Sequence, residues 1–193
     1  MKWIDNLKVS YKLTLAFGVT LLILVIVAGF GIFDLNQVSQ GTRALYFDRT
    51  LPIYWVGEAQ ATLFELRGNL YKYALLPAER EATLAAIENN KTQIQAMLDK
   101  YRQTSLGEEE KAALAEFDQA YATYLQAVDR FIENINRGNE QAAITSINDG
   151  GEVANASKAV GAAMDEIVSI NSRIAEELQQ QAEATYIRAR AIC

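Results

Sequence analysis

The stretch LAEFDQAYATYLQAVDRFIENI, residues 114–135, decides the fold. Its large apolar residues recur alternately every three and four positions without a lapse. They are Leu114, Phe117, Tyr121, Tyr124, Val128, Phe131 and Ile135. This spacing gathers them on one face of an α-helix, and such a face is stable only when it packs against other helices. The stretch therefore predicts one helix of a bundle.

Both ends of this helix carry signals. Ser105 and Glu108 have the spacing of a capping box, in which a serine oxygen and a glutamate three residues later bond free backbone N–H groups. Gly138 follows the last apolar residue, as glycine often does where a helix ends. The acidic run 108–110 would complement the helix dipole, an explanation that we favour over a metal site. The predicted helix begins at Ser105 and stops at Gly138.

The first bundle helix is predicted to run from the apolar segment described below to about Leu76. From Val56 onward its apolar residues follow a seven-residue repeat. Pro52 lies within it. Because proline has no backbone N–H and crowds the preceding turn, we expect a kink or a local break near Thr50.

The second and fourth helices complete the set. Pro77 forms the turn into the second helix, whose apolar residues lie within residues 84–101. The fourth begins near Asn139 and continues to about Arg190, and the glycine pair at 150–151 is predicted to kink it. Short connections make neighbouring helices antiparallel. The sequence therefore predicts an all-α fold, an antiparallel up-down-up-down four-helix bundle.

A second feature is the apolar segment LTLAFGVTLLILVIVAGFGIF, residues 13–33. It contains no charged residue, and as a helix it spans about 30 Å, the thickness of a bilayer's hydrocarbon core. A cleaved signal peptide is the alternative, but its apolar region is about 7 to 15 residues long and ends at a small-residue cleavage site. The segment predicts a transmembrane helix that continues beyond Asp34.

The distribution of charge predicts the orientation of that helix. Three lysines lie within residues 1–12, whereas Asp34 follows the apolar segment. By the positive-inside rule, residues 1–12 are then cytoplasmic and residues 34–190 form a periplasmic or extracellular domain. We expect the chain in the inner membrane, with residues 191–193 as the start of a second transmembrane helix.

Composition excludes several kinds of function. The chain contains no histidine and its one cysteine is Cys193, which excludes zinc sites, disulfide frameworks and His-ligated haem. No phosphate-binding loop or nucleophile motif is present, so we expect neither an enzyme nor a cofactor. Residues 34–193 hold all but three of the 18 basic and all but one of the 24 acidic residues, a net charge of −8. That charge argues against a nucleic-acid partner.

Three short segments resemble methyl-accepting chemotaxis proteins. They are NLKVSYKL at residues 6–13, Leu51-Pro52, and ATYIRAR at residues 184–190. The resemblance covers essentially the whole chain and implies the transmembrane helix and four-helix-bundle sensor domain of a homodimeric chemoreceptor. In that family a second transmembrane helix, a HAMP relay and a cytoplasmic coiled coil follow. Related bundles also precede sensor histidine kinases and diguanylate cyclases, so the kind of output stays open.

Candidate ligand-binding residues lie towards the distal end of the bundle. Arg67 lies beside the apolar face of the first helix, about 14 Å below the turn at Pro77 by helical rise. The same distance along the fourth helix reaches Thr145 and Asn148, so these side chains could converge with Arg67. Tyr71 lies outside the seven-residue repeat and is the fourth candidate.

The resemblance implies that an arginine on the first helix holds the carboxylate of an amino acid or organic acid, through paired hydrogen bonds. We expect such a ligand to displace the fourth helix along or around the first. An alternative for Arg67 is an ion pair with Glu65 or Asp149, or a solvated position. An alternative for the chain is an interaction protein that recognises a periplasmic binding protein and no small molecule.

Overall fold

The computed structural model describes residues 8–192, with the exception of the side chains of Asp34 and of residues 188–192. The chain divides into two compact units, Met1–Arg43 and Ala44–Cys193. Most of the predicted cytoplasmic segment, residues 1–7, lies outside the described residues, and so does Cys193.

The first unit holds most of helix α1, Val9–Leu45. The helix includes the whole predicted segment 13–33, and its valine, leucine, isoleucine and phenylalanine side chains are exposed. The hydroxyl groups of Thr14 and Thr20 donate to carbonyl groups four residues earlier, at 3.0 and 2.9 Å, so these polar groups are satisfied within the helix. Among the described residues one helical run, Val9–Leu75, is long and apolar enough to cross a membrane.

The second unit is a four-helix bundle. Its elements are a π-helical turn Tyr46–Thr50, α2 Leu51–Leu75, a 3-10 turn Pro77–Glu79, α3 Arg80–Arg102, α4 Glu108–Asn136, α5 Glu140–Ile147 and α6 Glu152–Ile192. Helix α2 packs most extensively against α3, and α4 against α6, while α2 also packs against α6. The predicted all-α, antiparallel four-helix bundle is confirmed, with α5 and α6 together forming its fourth helix.

The predicted repeats form the core of the bundle. All of the apolar residues named in the stretch 114–135 are buried, and so are their counterparts on the other helices. These counterparts include Val56, Leu63 and Leu70 of α2, Ile87, Ile94 and Leu98 of α3, and Val153, Val160 and Ile167 of α6. Each such side chain stabilises the fold by about 1.5–3 kcal/mol when it is fully buried.

The sequence predicts a kink or a local break near Thr50, and the structure has a π-helical turn at this place within a continuous helical run. In this turn, which precedes Pro52, the backbone N–H of Leu51 donates to the carbonyl of Tyr46, one residue further back than in an α-helix. Pro52 then occupies the first turn of α2, where no backbone donor is needed. The inserted residue rotates the side chains that precede it relative to α2, and among these Arg49 is largely buried against the bundle.

The glycine pair separates two helices, whereas the sequence predicted a kink in one. Gly150 has a φ of +82°, a left-handed conformation that favours glycine. At Gly151, an added Cβ would lie 2.3 Å from the carbonyl oxygens of both Thr145 and Ser146. The start of α6 is thus packed so closely on the last turn of α5 that only glycine fits, and the chain cannot continue as one helix there.

The amino end of α4 also differs from the prediction. Its N-cap is Gly107, and the helix begins at Glu108 instead of Ser105. The backbone N–H of Gly107 donates to Oε2 of Glu110 at 2.8 Å. The capping box predicted at Ser105 and Glu108 is therefore wrong. The reason is that Glu110 is buried and bonded to other helices, which fixes where the helix can begin.

Candidate functional site

Contacts between α2 and α6 show which of their residues lie at the same height in the bundle. Nε2 of Gln60 donates to Oδ1 of Asp165 at 2.7 Å. Because the two helices are antiparallel, seven residues forward along α2 corresponds to seven residues back along α6. Arg67 therefore lies level with Lys158.

The same reasoning aligns α4 with α6. Arg130 forms an ion pair with Glu152, and Glu109 forms one with Arg173 lower in the bundle. Both pairs give the same register between α4 and α6. Tyr124 lies six residues before Arg130, and Lys158 lies six residues after Glu152. Tyr124 therefore lies at the level that Arg67 and Lys158 also occupy.

Arg67 is half-buried, and its guanidinium carbon lies 6.0 Å from the centre of the Phe64 ring. Among the described residues it forms no hydrogen bond and no ion pair. Asp149, one of its predicted ion-pair partners, pairs instead with Lys158, and this contact lowers the pKa of the Asp149 carboxyl group. All five guanidinium N–H donors of Arg67 thus remain available.

Two hydroxyl groups at this level are buried without a partner. Tyr124 is fully buried and Ser157, the neighbour of Lys158 in sequence, nearly so; neither oxygen has a hydrogen-bond partner among the described residues. Burial raises the pKa of Tyr124, while the positive charge of Arg67 and the Ser157 hydroxyl both lower it. Tyr124 is therefore close enough to interact with both groups, although its hydroxyl and that of Ser157 lie outside hydrogen-bonding geometry.

The other predicted site residues lie nearer the distal end. The hydroxyl group of Tyr71 donates to the carbonyl of Ile147 at 2.8 Å. Tyr71 therefore lies at the carboxyl end of α5, and Asn148 is the residue that follows this helix. The hydroxyl group of Thr145 donates within its own helix, to the carbonyl of Gln141 at 2.8 Å. Tyr71 is one helical turn, about 6 Å, beyond Arg67 along α2.

A large surface depression lies elsewhere on the bundle. It is an open groove of about 890 Å³ on the outside of the α4–α6 pair. Six alanine residues line it, together with Glu109, Glu116 and Glu166 among others. None of the four predicted site residues lines it, and its openness to solvent gives a small ligand little to be enclosed by.

A buried polar network joins the helices at the opposite end of the bundle from Tyr71. Nη1 of Arg49 donates to Oε1 of Glu110 at 2.7 Å and to Oδ1 of Asn171 at 3.2 Å. The hydroxyl group of Tyr101 donates to Oε1 of Glu110 at 3.0 Å and accepts from Nδ2 of Asn171 at 2.8 Å. Burial raises the pKa of Tyr101, although its bond from Asn171 lowers it. The network contacts the π-helical turn, α3, α4 and α6.

Sequence reasoning missed this network. Glu110 was interpreted only as part of an acidic run that complements the dipole of α4, but it is fully buried. A signal was present: Glu110 lies four residues before Leu114 and seven before Phe117, so it falls on the apolar face. A carboxylate on that face requires a buried partner, and Arg49 supplies it.

The sequence matches a known protein family over nearly its whole length. Residues 6–186 match the family described as four helix bundle sensory module for signal transduction. The chain belongs to this family. No curated protein and no solved structure matches the chain.

A sensory module must let an event at one place alter the arrangement at another. Helix α6 connects the level of Arg67 with the buried network around Glu110. It carries Ser157 at the first place and Asn171 at the second. The fourteen residues between them correspond to about 21 Å along the helix. A change at the level of Arg67 that moves α6 would therefore act directly on the network around Glu110.

Proposed function

We propose that this sensory module is the ligand-sensing part of a methyl-accepting chemotaxis receptor, and that it detects a small amino or organic acid outside the cytoplasm. The observation that carries the proposal is Arg67, a half-buried guanidinium with no ion pair among the described residues. A partly desolvated cation without a partner is costly, and a carboxylate would neutralise it through two parallel hydrogen bonds. The module has no proposed catalytic role.

The proposed ligand-binding residues are Arg67, Tyr71, Thr145 and Asn148. A carboxylate held by Arg67 leaves the rest of the ligand free to extend one turn along α2, towards Tyr71. There the end of α5 is already in contact with Tyr71 through the carbonyl of Ile147. A ligand that reaches this contact would touch both α2 and the fourth helix of the bundle.

The proposed membrane topology follows from the first unit. Residues 13–33 would cross the inner membrane, residues 1–12 would remain cytoplasmic and residues 34–190 would lie in the periplasm. The exposed apolar surface of α1 and the internally bonded threonines support this placement, because lipid leaves backbone and hydroxyl groups no water to bond. Residues 191–193 would begin the second crossing.

The proposed mechanism is displacement of α6 relative to α2 when the ligand binds. The ligand must favour one arrangement by its difference in affinity for the two. The network around Glu110 supports this mechanism, because Arg49 on the π-helical turn and Asn171 on α6 are in direct contact at 3.2 Å. A shift of α6 by about 1–2 Å would lengthen this contact beyond hydrogen-bonding distance.

We also propose that two copies associate along α2. The face of α2 that points away from the core carries two seven-residue rows of exposed residues. One row is Tyr54, Ala61, Gly68 and Leu75, and the other is Gly57, Phe64 and Tyr71. Phe64 is 67% exposed and Leu75 is 65% exposed. This spacing is that of a helix–helix seam, and the glycines would let large rings of the second copy approach closely.

Indirect sensing through a periplasmic binding protein is the second candidate. The open groove on the α4–α6 pair favours it, since the groove is long enough for a partner's helix or loop and lies away from the α2 seam. The same module could also precede a histidine kinase or a diguanylate cyclase, whose sensing step would be the same.

A thermal-shift screen of the intact chain in detergent tests direct sensing. We expect at least one small amino or organic acid to raise the melting temperature of the wild type, since a ligand at a hundred times its Kd stabilises by about 2.7 kcal/mol. The variant Arg67→Ala should lose that shift. The matched variant Arg137→Ala, which removes an exposed arginine paired with Glu133, should keep it. If no acid stabilises the wild type, direct binding is ruled out in favour of a protein partner.

A further inference from the structure

Three helices each contribute one unpaired polar group at a single level of the bundle. These groups are the guanidinium of Arg67 on α2, the hydroxyl of Tyr124 on α4 and the hydroxyl of Ser157 on α6. The two hydroxyls have lost their contact with water, and no described residue replaces it. Most buried polar side chains in proteins are hydrogen-bonded, so a pair of unbonded hydroxyls beside an unpaired arginine needs an explanation.

Other polar groups near this level are already engaged. Lys158 pairs with Asp149, and Gln60 donates to Asp165 one level below. Asn69 donates to Asn90 at 2.8 Å on the other side of α2. The unbonded state of the three groups therefore does not reflect a general lack of partners. Among the described residues the one other buried side-chain atom without a hydrogen-bond partner is Nε of Arg49, at the opposite end of the bundle.

A glycine of α6, Gly161, lies close to this level of the bundle. Gly161 is half-buried, one helical turn from Ser157, and by the register of Gln60 with Asp165 it lies level with Phe64. A Cβ added to Gly161 would meet no other atom within 4 Å. The absence of a side chain at Gly161 therefore leaves open space at this position of α6.

The chemistry of the three groups defines what they would bind. A guanidinium pairs with a carboxylate, whereas a tyrosine and a serine hydroxyl can each donate and accept, which suits a hydroxyl or carbonyl oxygen. We propose that the Arg67–Tyr124–Ser157 level is the specificity-determining part of the ligand site, and that it selects small carboxylates that carry a further hydroxyl or carbonyl oxygen. This inference rests on the proposed direct sensing of a small acid.

The proposal adds Tyr124 and Ser157 to the binding residues and Gly161 as the opening through which the ligand enters. A purely structural role for the two hydroxyls gives a different expectation for ligand preference. If the hydroxyls only fill space, their removal leaves the choice between ligands untouched. If they bond the ligand's second oxygen, their removal abolishes a preference between two acids that differ by one hydroxyl group.

Titration calorimetry on the intact chain in detergent tests the proposal with two matched pairs of probes. The pairs are lactate with propionate and 3-hydroxybutyrate with butyrate, which differ only by a hydroxyl group. We expect the hydroxylated member of at least one pair to bind the wild type about tenfold more tightly, as one to two added hydrogen bonds would give.

Three variants and one control refine the test. Tyr124→Phe and Ser157→Ala should each reduce the preference to about twofold or less, because the hydroxylated acid loses a hydrogen bond and binds more weakly. Gly161→Met should weaken both members of the pair, because its side chain fills the opening. The control Tyr121→Phe removes a buried tyrosine hydroxyl that is already bonded to the carbonyl of Lys91, and the preference should persist.

The outcomes separate this inference from the proposed function. If both members of each pair bind the wild type equally, or if Tyr124→Phe and Ser157→Ala keep the preference, the hydroxyl pair has no role in selection and the inference is overturned, while direct sensing through Arg67 stands. If no acid binds the wild type at all, the proposed function fails together with the inference.

Discussion

Glu110 is a single polar side chain that connects several parts of the bundle. Its carboxylate is fully buried and accepts hydrogen bonds from Arg49, from Tyr101 and from the backbone of Gly107. A buried charge of this kind is tolerated only because each of its partners is in place. The residue therefore fixes both the start of α4 and the position of the π-helical turn.

Replacement of Glu110 with alanine should lower the free energy of unfolding by about 3–5 kcal/mol, because Arg49 is left as a largely buried charge without its partner. Chemical denaturation of the intact chain in detergent measures this change. The matched control is Glu109→Ala, which removes an exposed carboxylate paired with Arg173 and should cost less than about 1 kcal/mol. Equal losses in both variants would show that the buried network is not stabilising.

Loss of the hydroxyl group should affect the stability of the fold differently at Tyr124 and at Tyr121. Tyr124→Phe removes a buried hydroxyl that has no partner and should leave stability unchanged or raise it by up to about 1 kcal/mol. Tyr121→Phe removes a hydroxyl that donates to the carbonyl of Lys91 at 3.1 Å and should cost about 1 kcal/mol. The same denaturation experiment compares them, and a clear loss in Tyr124→Phe would contradict the unpaired state.

At this scale the sequence predicts which residues are buried but not how their polar atoms are bonded. Tyr124 was correctly placed in the core by its spacing alone. The absence of a partner for its hydroxyl, and the pairing of Glu110 with an arginine 61 residues earlier, depend on distant parts of the chain. Local periodicity contains no information about such contacts.

Helices and their order were predictable, whereas some of their ends were not. The apolar repeat is a local property, so four helices and their antiparallel order followed from spacing, and an irregularity before Pro52 followed from backbone chemistry. The N-cap at Gly107 and the separation of α5 from α6 depend on tertiary contacts. In the latter case the carbonyl oxygens of Thr145 and Ser146 occupy the space that a side chain at position 151 would need.

The junction of α5 and α6 gives a prediction at this scale. Gly151→Ala should lower the free energy of unfolding by at least about 2 kcal/mol, because its Cβ would overlap two carbonyl oxygens and force the helices apart. Gly161→Ala is the control. It lies within α6 with open space around it, so it should stabilise by about 0.5–1 kcal/mol through helix propensity. Denaturation curves with the opposite order would contradict the close packing at the junction.

At the scale of the whole molecule, the proposed association along the exposed seam of α2 gives a prediction about assembly. Phe64→Glu places a charge at the centre of that seam and should shift the intact chain from dimer towards monomer in analytical ultracentrifugation in detergent. Ala162→Glu, on the exposed side of α6, should leave the assembly unchanged. A wild type that is monomeric at all concentrations would rule out the α2 seam as an interface.

The central claim is that a small carboxylate at the level of Arg67 moves α6 relative to α2. Pulsed electron–electron resonance between spin labels at Glu58 of α2 and Glu166 of α6, with Cys193 replaced by serine, measures that movement directly. With saturating lactate, or whichever acid stabilises the wild type, we predict a change of about 1–2 Å in the mean distance, and no change in Arg67→Ala. An unaltered distance in a protein that demonstrably binds the acid would contradict the account.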